Sequence, residues 1–180
     1  IKIAAFDNLT RATTSSDFTD LVINRSNLLE DVFAIYEDTT VLNSRLHVEF
    51  LGEDGDDLGG LTKDLFTSCW AAILADYFRG ENVVVPHLPL YKVAKCKGNY
   101  VKIGRILSHT ASLMHTIPQR LSTVMLVCLI YGNDSIDDDL LLSDLLLFVT
   151  PLERELVHCA IHSFSTLHVR PLKMLTAPYG

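Results

Sequence analysis

Residues 46–74 constrain the fold of this chain more than any other part of its sequence. Apolar and polar residues alternate over 46–50, an acidic and glycine-rich segment follows at 52–62, and apolar residues then recur at helical spacing over 61–74. Alternation is typical of a strand with one buried face, and the spacing of three and four is typical of an amphipathic helix. The sequence therefore predicts a strand, a glycine-rich turn and a deeply packed helix, in that order.

Helical patterns dominate the rest of the chain. Asn27 and Glu30 fit a capping box, and Thr150, Pro151 and Glu153 give a second helix start signal of the same kind. Helices are predicted over the segments 27–36, 100–110, 119–131, 138–148 and 150–164. We therefore expect an α+β fold that is mostly helical, with a few short strands in the first half.

The domain organisation follows from length and pattern. Residues 1–17 have little pattern and include the polar segment 13–17, whereas order begins near Phe18. A chain of 180 residues buries enough surface to form a core without disulfides or a metal. We expect a flank or linker at 1–17 and one domain over 18–180. Because the chain begins with Ile rather than Met, we also expect it to be a piece of a longer protein.

Charge and composition exclude several classes of partner. The net charge is −7, with a sequence pI of about 5.4, and nucleic-acid binding normally requires a basic patch. The longest apolar runs are too short to span a bilayer, and the four cysteines are widely spaced, as in reduced intracellular proteins. We expect an intracellular protein, cytoplasmic or nuclear, that binds neither nucleic acid nor a membrane.

The glycine-rich segment does not have the chemistry of a phosphate or calcium loop. Gly55 and Gly60 have the separation of a phosphate loop, but Leu61 stands where that loop needs Lys, and carboxylates precede it. A calcium loop counted from Asp54 lacks its closing carboxylate, because Leu65 occupies the twelfth position. The favoured interpretation is structural: the acidic residues solvate a turn whose glycines adopt unusual backbone angles.

Two other groups of residues suggest chemistry. His158 and His162 are four residues apart beside Cys159, but the Glu that a zinc protease needs after its first His is absent. A zinc site that includes His168 stays open, although histidines on a packed or half-exposed helix face are the favoured interpretation. We therefore expect no metal and no cofactor.

Cys96 is the best candidate for a reactive thiol, because Lys95 and Lys97 flank it and favour the thiolate. The favoured interpretation is nevertheless an exposed cysteine in a basic turn, since no base can be assigned to it. Cys69, Cys128 and Cys159 fall within apolar helical stripes and are predicted to be core residues. No residue of this chain is predicted to be catalytic.

Several blocks of this sequence resemble the opening of the HECT ubiquitin-ligase domain. The family has a helix and then a strand that ends in F-x-G-E-x-G-x-D-x-G-G-L-x-x-x-F, and residues 27–33 and 46–66 match nearly every fixed position of that pattern. Residues 100–107 resemble the family's Y-F-K-F-I-G-R-x-L. Ile117-Pro118 parallels the family's V-P, and 144–156 resembles its D-L and D-P-E-L-Y. The resemblance covers about residues 20–165 and implies the N-terminal lobe of that domain, the N-lobe.

The resemblance implies a docking function. In that family the N-lobe docks a ubiquitin-charged conjugating enzyme (E2), and a cysteine in the C-terminal lobe accepts ubiquitin before it passes to a protein substrate. No cysteine here has the T-C-F context of that acceptor, so the parent protein is implied to be a ligase while this chain supplies the platform. The alternative is a degenerate HECT-like helical interaction module without transferase activity.

The resemblance assigns no E2-binding residues, but it identifies motif residues to which we attribute structural roles. Glu53 is expected to form hydrogen bonds within the lobe, and Arg105 is expected to pair with a carboxylate that would otherwise be buried alone. The motif residues are Glu53, Gly55, Asp57, Gly59, Gly60, Gly104 and Arg105.

Overall fold

Helices make up most of the chain in the computed structural model, which describes residues 18–53, 59–162 and 173. The strands are β1 (Phe18–Ile23), β2 (Arg45–Phe50), β3 (Phe78–Arg79) and β4 (Val85–Pro86). The α-helices are α1 (Leu28–Ile35), α2 (Gly60–Tyr77), α3 (Leu90–Cys96), α4 (Asn99–Met114), α5 (Thr123–Tyr131), α6 (Asp138–Phe148) and α7 (Pro151–His162). The predicted class, mostly helical α+β, is confirmed.

The chain divides into two compact units. Unit 1 comprises Ile1–Tyr77 and Leu88–Pro118, and its described part holds β1, β2 and α1 to α4. Unit 2 comprises Phe78–His87 and Gln119–Gly180, and its described part holds β3, β4 and α5 to α7. The sequence pattern predicts one domain over 18–180 and does not indicate this division. The expected flank at 1–17 lies outside the described residues.

Unit 1 contains a two-stranded parallel sheet. Strand β1 pairs with β2 in a register that sets Phe18 beside Arg45 and Ile23 beside Phe50. Parallel neighbours need a crossover, which α1 supplies between them. Along β2 every second residue is buried, as the alternating sequence predicts. Strand β1 was not predicted, because the alternation of its apolar residues is short.

Helix α2 supplies much of the core of unit 1. The predicted apolar stripe is confirmed, and its buried side chains are Leu65, Phe66, Cys69, Trp70 and Ile73. The indole Nε1 of Trp70 donates a 3.0 Å hydrogen bond to Thr110 Oγ1 in α4. Burial of these side chains stabilises unit 1, by roughly 1.5–3 kcal/mol for each large apolar group.

The capping box predicted at Asn27 and Glu30 is wrong. A short 3₁₀ turn, Arg25–Asn27, precedes α1, and the Asn27 side chain makes no capping hydrogen bond. Asn24 does the capping: its side chain accepts from the backbone N–H of Ser26, and Asp31 accepts from the N–H of Asn24. The added turn moves the first unpaired N–H groups three residues upstream, so the cap moves with them.

The helices of unit 2 begin at defined caps. Helix α6 has the predicted bounds, and the predicted capping box of α7 is confirmed: the Glu153 carboxylate accepts from Thr150 N at 2.9 Å, and Thr150 Oγ1 accepts from Glu153 N. Helix α5 begins four residues later than the predicted 119. The segment before α5 is extended because Val84 N donates to Arg120 O at 2.7 Å and Ser122 N donates to Val84 O at 3.0 Å.

Candidate functional site: the glycine-rich connection and an apolar groove

Two glycines in the described part of the connection between β2 and α2 have the backbone geometry that their residue type predicts. Gly52 has φ +83° and Gly59 has φ +94°, in the region that other L-residues rarely adopt. Gly60, the next motif residue, is the first residue of α2. Gly55 and Asp57 lie outside the described residues. The described glycines therefore turn the chain from the end of the strand into the helix.

A charged cluster joins the two ends of this connection. Arg25 Nη2 donates to Glu53 Oε2 at 3.0 Å and to Asp64 Oδ2 at 2.6 Å, and Arg25 Nε also donates to Glu53. The guanidinium lies 3.6 Å from the ring centroid of Phe50, at the end of β2. The expectation that Glu53 forms hydrogen bonds within its own domain is confirmed. The arrangement fixes the start of α2 against the turn before α1.

The same cluster explains the acidity of its carboxyl groups. Hydrogen bonds from Arg25 lower the pKa of Glu53 and of Asp64 below their ordinary values. Both groups are consequently ionised and engaged with one guanidinium near neutral pH. Neither carboxylate has the raised pKa typical of a general acid, which agrees with a structural role for the connection.

Arg105 binds backbone rather than a side chain. Its Nη1 donates to the carbonyl oxygens of Tyr36 and Glu37 at 2.8 and 2.9 Å, just past the end of α1. The predicted carboxylate partner is therefore wrong. Carbonyl groups at a helix C-terminus lack intrahelical partners and carry partial negative charge, so a guanidinium satisfies them well. The neighbouring Lys102 donates to the Glu37 carboxylate at 2.6 Å.

Gly104 has no comparable partner within the described residues. It lies on the exposed side of α4, and a Cβ built there would meet no described atom within 4 Å. Its φ is not positive, because only His115, Gly52, Gly59, Gly80 and Gly132 have positive φ in the described chain. Neither backbone conformation nor packing against the described residues therefore requires glycine at this motif position.

Unit 1 contains a buried polar group, centred on His109, that the sequence pattern did not predict. His109, in α4, lies with its Nδ1 2.8 Å from Tyr36 Oη and its Nε2 3.0 Å from the carbonyl oxygen of Ser44. Burial lowers the pKa of His109 and raises that of Tyr36. No local sequence pattern predicts this group, because His109 lies 73 residues from Tyr36 and 65 residues from Ser44 along the chain.

The thiols and histidines singled out in the sequence do not converge on a reactive site in the described residues. Burial raises the pKa of Cys69 to about 12, as expected of a core thiol. Cys159 is exposed and Cys128 is half-buried, so the prediction that both are core residues is wrong. Both cysteines lie on helices of unit 2 that are rich in apolar residues but have no buried residue. Cys96 is half-buried at the last residue of α3, not exposed in a turn.

His158 and His162 lie one turn apart on α7, as their spacing predicts. Their rings stack with centroids 6.2 Å apart, and both side chains are exposed. No set of three or more His, Cys, Asp or Glu side chains is placed to hold a metal in the part of the chain that the structure describes. His168 lies outside that part.

Unit 2 presents an apolar groove of about 320 Å³. Helix α6 contributes Leu141, Asp144, Leu145 and Phe148 to the lining. The other lining residues are Val85, Ser122 and Val124. Asp144 is buried and accepts from Ser122 Oγ and, at 3.2 Å, from the backbone N–H of Thr123. These polar groups form hydrogen bonds with one another. An apolar partner that fills the groove therefore leaves none of them without a partner.

Helix α5, which contributes Val124 to this groove, exposes further apolar side chains. Eight of its nine residues are apolar, yet none of the nine is buried. Leu129 and Ile130 are 71% and 65% exposed. Contiguous exposed apolar surface of this kind marks interaction sites in proteins. The sequence pattern predicts a helix over 119–131 but does not indicate which of its side chains are exposed.

None of the helices in the described part of the chain has both the length and the apolarity needed to cross a membrane. No protein-family model and no curated protein matches the sequence of this chain. The HECT resemblance accordingly rests on the motif residues themselves.

Proposed function

We propose that this chain is a protein-docking module: the N-lobe portion of a HECT-type E3 ubiquitin ligase, which receives a ubiquitin-charged conjugating enzyme. The parent ligase transfers ubiquitin to its own cysteine and then to a protein substrate. Within the chain, the motif residues hold the fold and a separate surface meets the partner. The module works inside the cell, in the cytoplasm or nucleus.

The observation that carries the docking function is the apolar groove of unit 2. Leu141 and Leu145 project from consecutive turns of α6 into the groove, and each is more than two-fifths exposed. A bulky apolar side chain of a partner buried between them gains roughly 1.5–3 kcal/mol, enough for a binding hot spot. The groove and the exposed face of α5 thus form a surface suited to a protein.

The assignment to the HECT family draws its support from the motif residues. Glu53 and Asp64 bracket the glycine-rich connection and share Arg25, while Gly59 turns the chain at φ +94°. Arg105 satisfies two carbonyl groups at the end of α1. A motif whose residues serve the fold in this way supports a family relationship, whereas activity depends on surfaces outside the motif.

Titration of the chain with a panel of conjugating enzymes, free and ubiquitin-charged, tests the proposal. Saturable binding by a subset of the panel is expected at micromolar concentrations, which correspond to a binding free energy of about −8 kcal/mol. Leu141→Asp should abolish it by placing a charge in the groove. The matched control is Leu152→Asp, which changes an exposed leucine on α7 that does not line the groove.

A HECT-like interaction module without transferase activity is the alternative. Burial of the Cys69 thiol, with its raised pKa, opposes a nucleophilic role for that cysteine and is compatible with the alternative. If a folded chain bound no member of the panel, free or charged, the alternative would replace the ligase platform.

A further inference from the structure

The basic side chains of this acidic protein are unevenly distributed. Residues 82–133 contain no Asp or Glu, although the chain has 22 acidic residues, and they hold six of its 15 Lys and Arg residues. Five of these six, Lys92, Lys95, Lys97, Lys102 and Arg105, belong to unit 1. A net charge of −7 therefore conceals a region of unit 1 with the opposite sign.

Two of these cations serve the fold, and three do not. Lys102 pairs with Glu37, and Arg105 donates to backbone carbonyl groups. By contrast, Lys92, Lys95 and Lys97 form no ion pair with any residue that the structure describes. Their charge is consequently available to an external partner.

Apolar side chains stand beside these lysines on α3. Leu90 is 93% exposed and Tyr91 is 81% exposed, and no residue of α3 is buried. Helix α3 is thus attached to unit 1 with its large apolar groups in solvent. An exposed aromatic side chain next to an exposed aliphatic one is typical of an interaction site.

A concave site of about 360 Å³ lies against α3 within unit 1. Tyr91, Lys92, Lys95 and Cys96 line one side, and Asp76 and Tyr77 of α2 line the other. Because Asp76 is the single carboxylate in this lining, the two lysines leave the local charge positive.

We propose that this surface, Leu90 to Lys97 with its adjoining concavity, binds an acidic peptide segment that carries a bulky apolar side chain. Charge complementarity selects the acidic flanks, and the concavity selects the apolar side chain. Electrostatic attraction operates locally even though the whole chain is acidic, since charges beyond about 8 Å are screened at physiological salt.

The geometry favours a peptide over the other anionic partners. Nucleic-acid binding draws on many phosphate contacts, and the two lysines of the seven-residue α3 with Lys97 directly after it supply few. A bilayer presents a broad surface that does not enter a concavity, so it would leave the lining of Tyr77 and Cys96 unused. A peptide side chain enters the concavity and brings its carboxylates within reach of Lys92 and Lys95.

Fluorescence anisotropy with a fluorescein-labelled peptide of sequence EELFEE tests the proposal. We expect saturable binding that weakens between about 50 and 500 mM NaCl. The double variant Lys92→Gln, Lys95→Gln should weaken binding about fivefold or more. Lys63→Gln, which removes an exposed cation on α2, should leave the affinity unchanged. The peptides QQLFQQ and EEAAEE should bind more weakly than EELFEE.

Three results would overturn the proposal: no saturable binding of EELFEE by the folded chain, equal weakening by the Lys63 variant, or equal affinity for QQLFQQ. Sedimentation of the chain with phosphatidylserine vesicles tests the alternative that the surface binds a membrane. Sedimentation without peptide binding would assign the surface to a membrane and would also overturn the proposal. Tyr91→Ala adds a second variant that leaves the charge unchanged and should weaken binding through loss of the apolar contact.

Discussion

The Nε2–H of His109 donates a 3.0 Å hydrogen bond to the carbonyl oxygen of Ser44, at the residue before β2 begins. Because a carbonyl oxygen only accepts, Nε2 carries the proton, and Nδ1 of the neutral ring then accepts from the Tyr36 hydroxyl. One buried side chain thus links α4, the segment after α1 and the start of the parallel sheet. Protonation of His109 would leave Nδ1 unable to accept from Tyr36.

The first prediction concerns the pH dependence of unit 1. The pKa of His109 is lowered from its ordinary 6.5 by burial. Above 6.5 both states hold the neutral ring, and the free energy of unfolding is unaffected. As the pH falls from 6.5 towards the lowered folded value, the unfolded state binds the proton first, so the free energy of unfolding decreases.

Urea unfolding at about pH 7.5 and pH 5 checks this dependence. His109→Phe should lose about 1–3 kcal/mol at the higher pH, because Ser44 O and Tyr36 Oη lose their partner. It should also show a smaller decrease towards the lower pH than the wild-type chain. A decrease of the same size in the variant would contradict the role of His109.

The second prediction concerns the Arg25 cluster. Arg25→Met should lower the melting temperature, because Glu53 and Asp64 would face each other without the shared guanidinium. Their pKa values are lowered by Arg25, so their stabilising contribution is present above the ordinary carboxyl values and lost as the pH falls through the lowered ones. Melting curves from about pH 6 to pH 2 should therefore converge for the two proteins. Curves that stay parallel would argue against this pairing.

The third prediction concerns the buried carboxylate of unit 2. Asp144→Ala should destabilise unit 2 by about 1–3 kcal/mol, since Ser122 Oγ and the N–H of Thr123 lose their acceptor. Hydrogen exchange of the amides of α5 should increase accordingly. Asp139→Ala, at an exposed position of α6, is the control and should change exchange far less. Equal effects of the two substitutions would contradict the role of Asp144 as the acceptor for Ser122 and Thr123.

The fourth prediction contrasts two glycines. Gly104→Ala should stabilise unit 1 by about 0.5–1 kcal/mol, because the helical site has open space for a methyl group. Gly80→Ala should destabilise unit 2, since Gly80 has φ +144° and a Cβ there would lie 2.0 Å from the carbonyl oxygen of Val83. Thermal melts of both variants check the two signs. A loss of stability in Gly104→Ala would show that the motif glycine is required by the fold.

Periodicity predicted the elements whose buried face is continuous along the chain. Strand β2, the stripe of α2 and the bounds of α6 follow from local sequence, and the α7 cap follows from Thr150 and Glu153. The same reasoning failed at Asn27, because a single added 3₁₀ turn relocates the cap. It also placed Cys159 in the core, since an apolar neighbourhood does not determine which face of a helix is covered.

The candidate site was less predictable than the fold. The pairing of Arg25 with Glu53 joins residues 28 apart, and that of His109 with Ser44 joins residues 65 apart. No local pattern encodes such contacts. The carbonyl partners of Arg105 were not predicted, because every residue has a backbone carbonyl group and residue types do not indicate which one accepts a hydrogen bond. The exposed apolar surface of α5 was not predicted, because apolar composition alone does not determine which side chains are covered.

The central claim is that the groove of unit 2 docks a conjugating enzyme, and methyl NMR of the isotope-labelled chain tests it most directly. On titration with a ubiquitin-charged conjugating enzyme that binds, we predict that the largest shift changes fall on the methyl groups of Val124, Leu141 and Leu145. The methyl groups of Leu65 and Ile73, buried in unit 1, should stay unchanged. Shift changes confined to unit 1, or none with any member of the panel, would contradict the account.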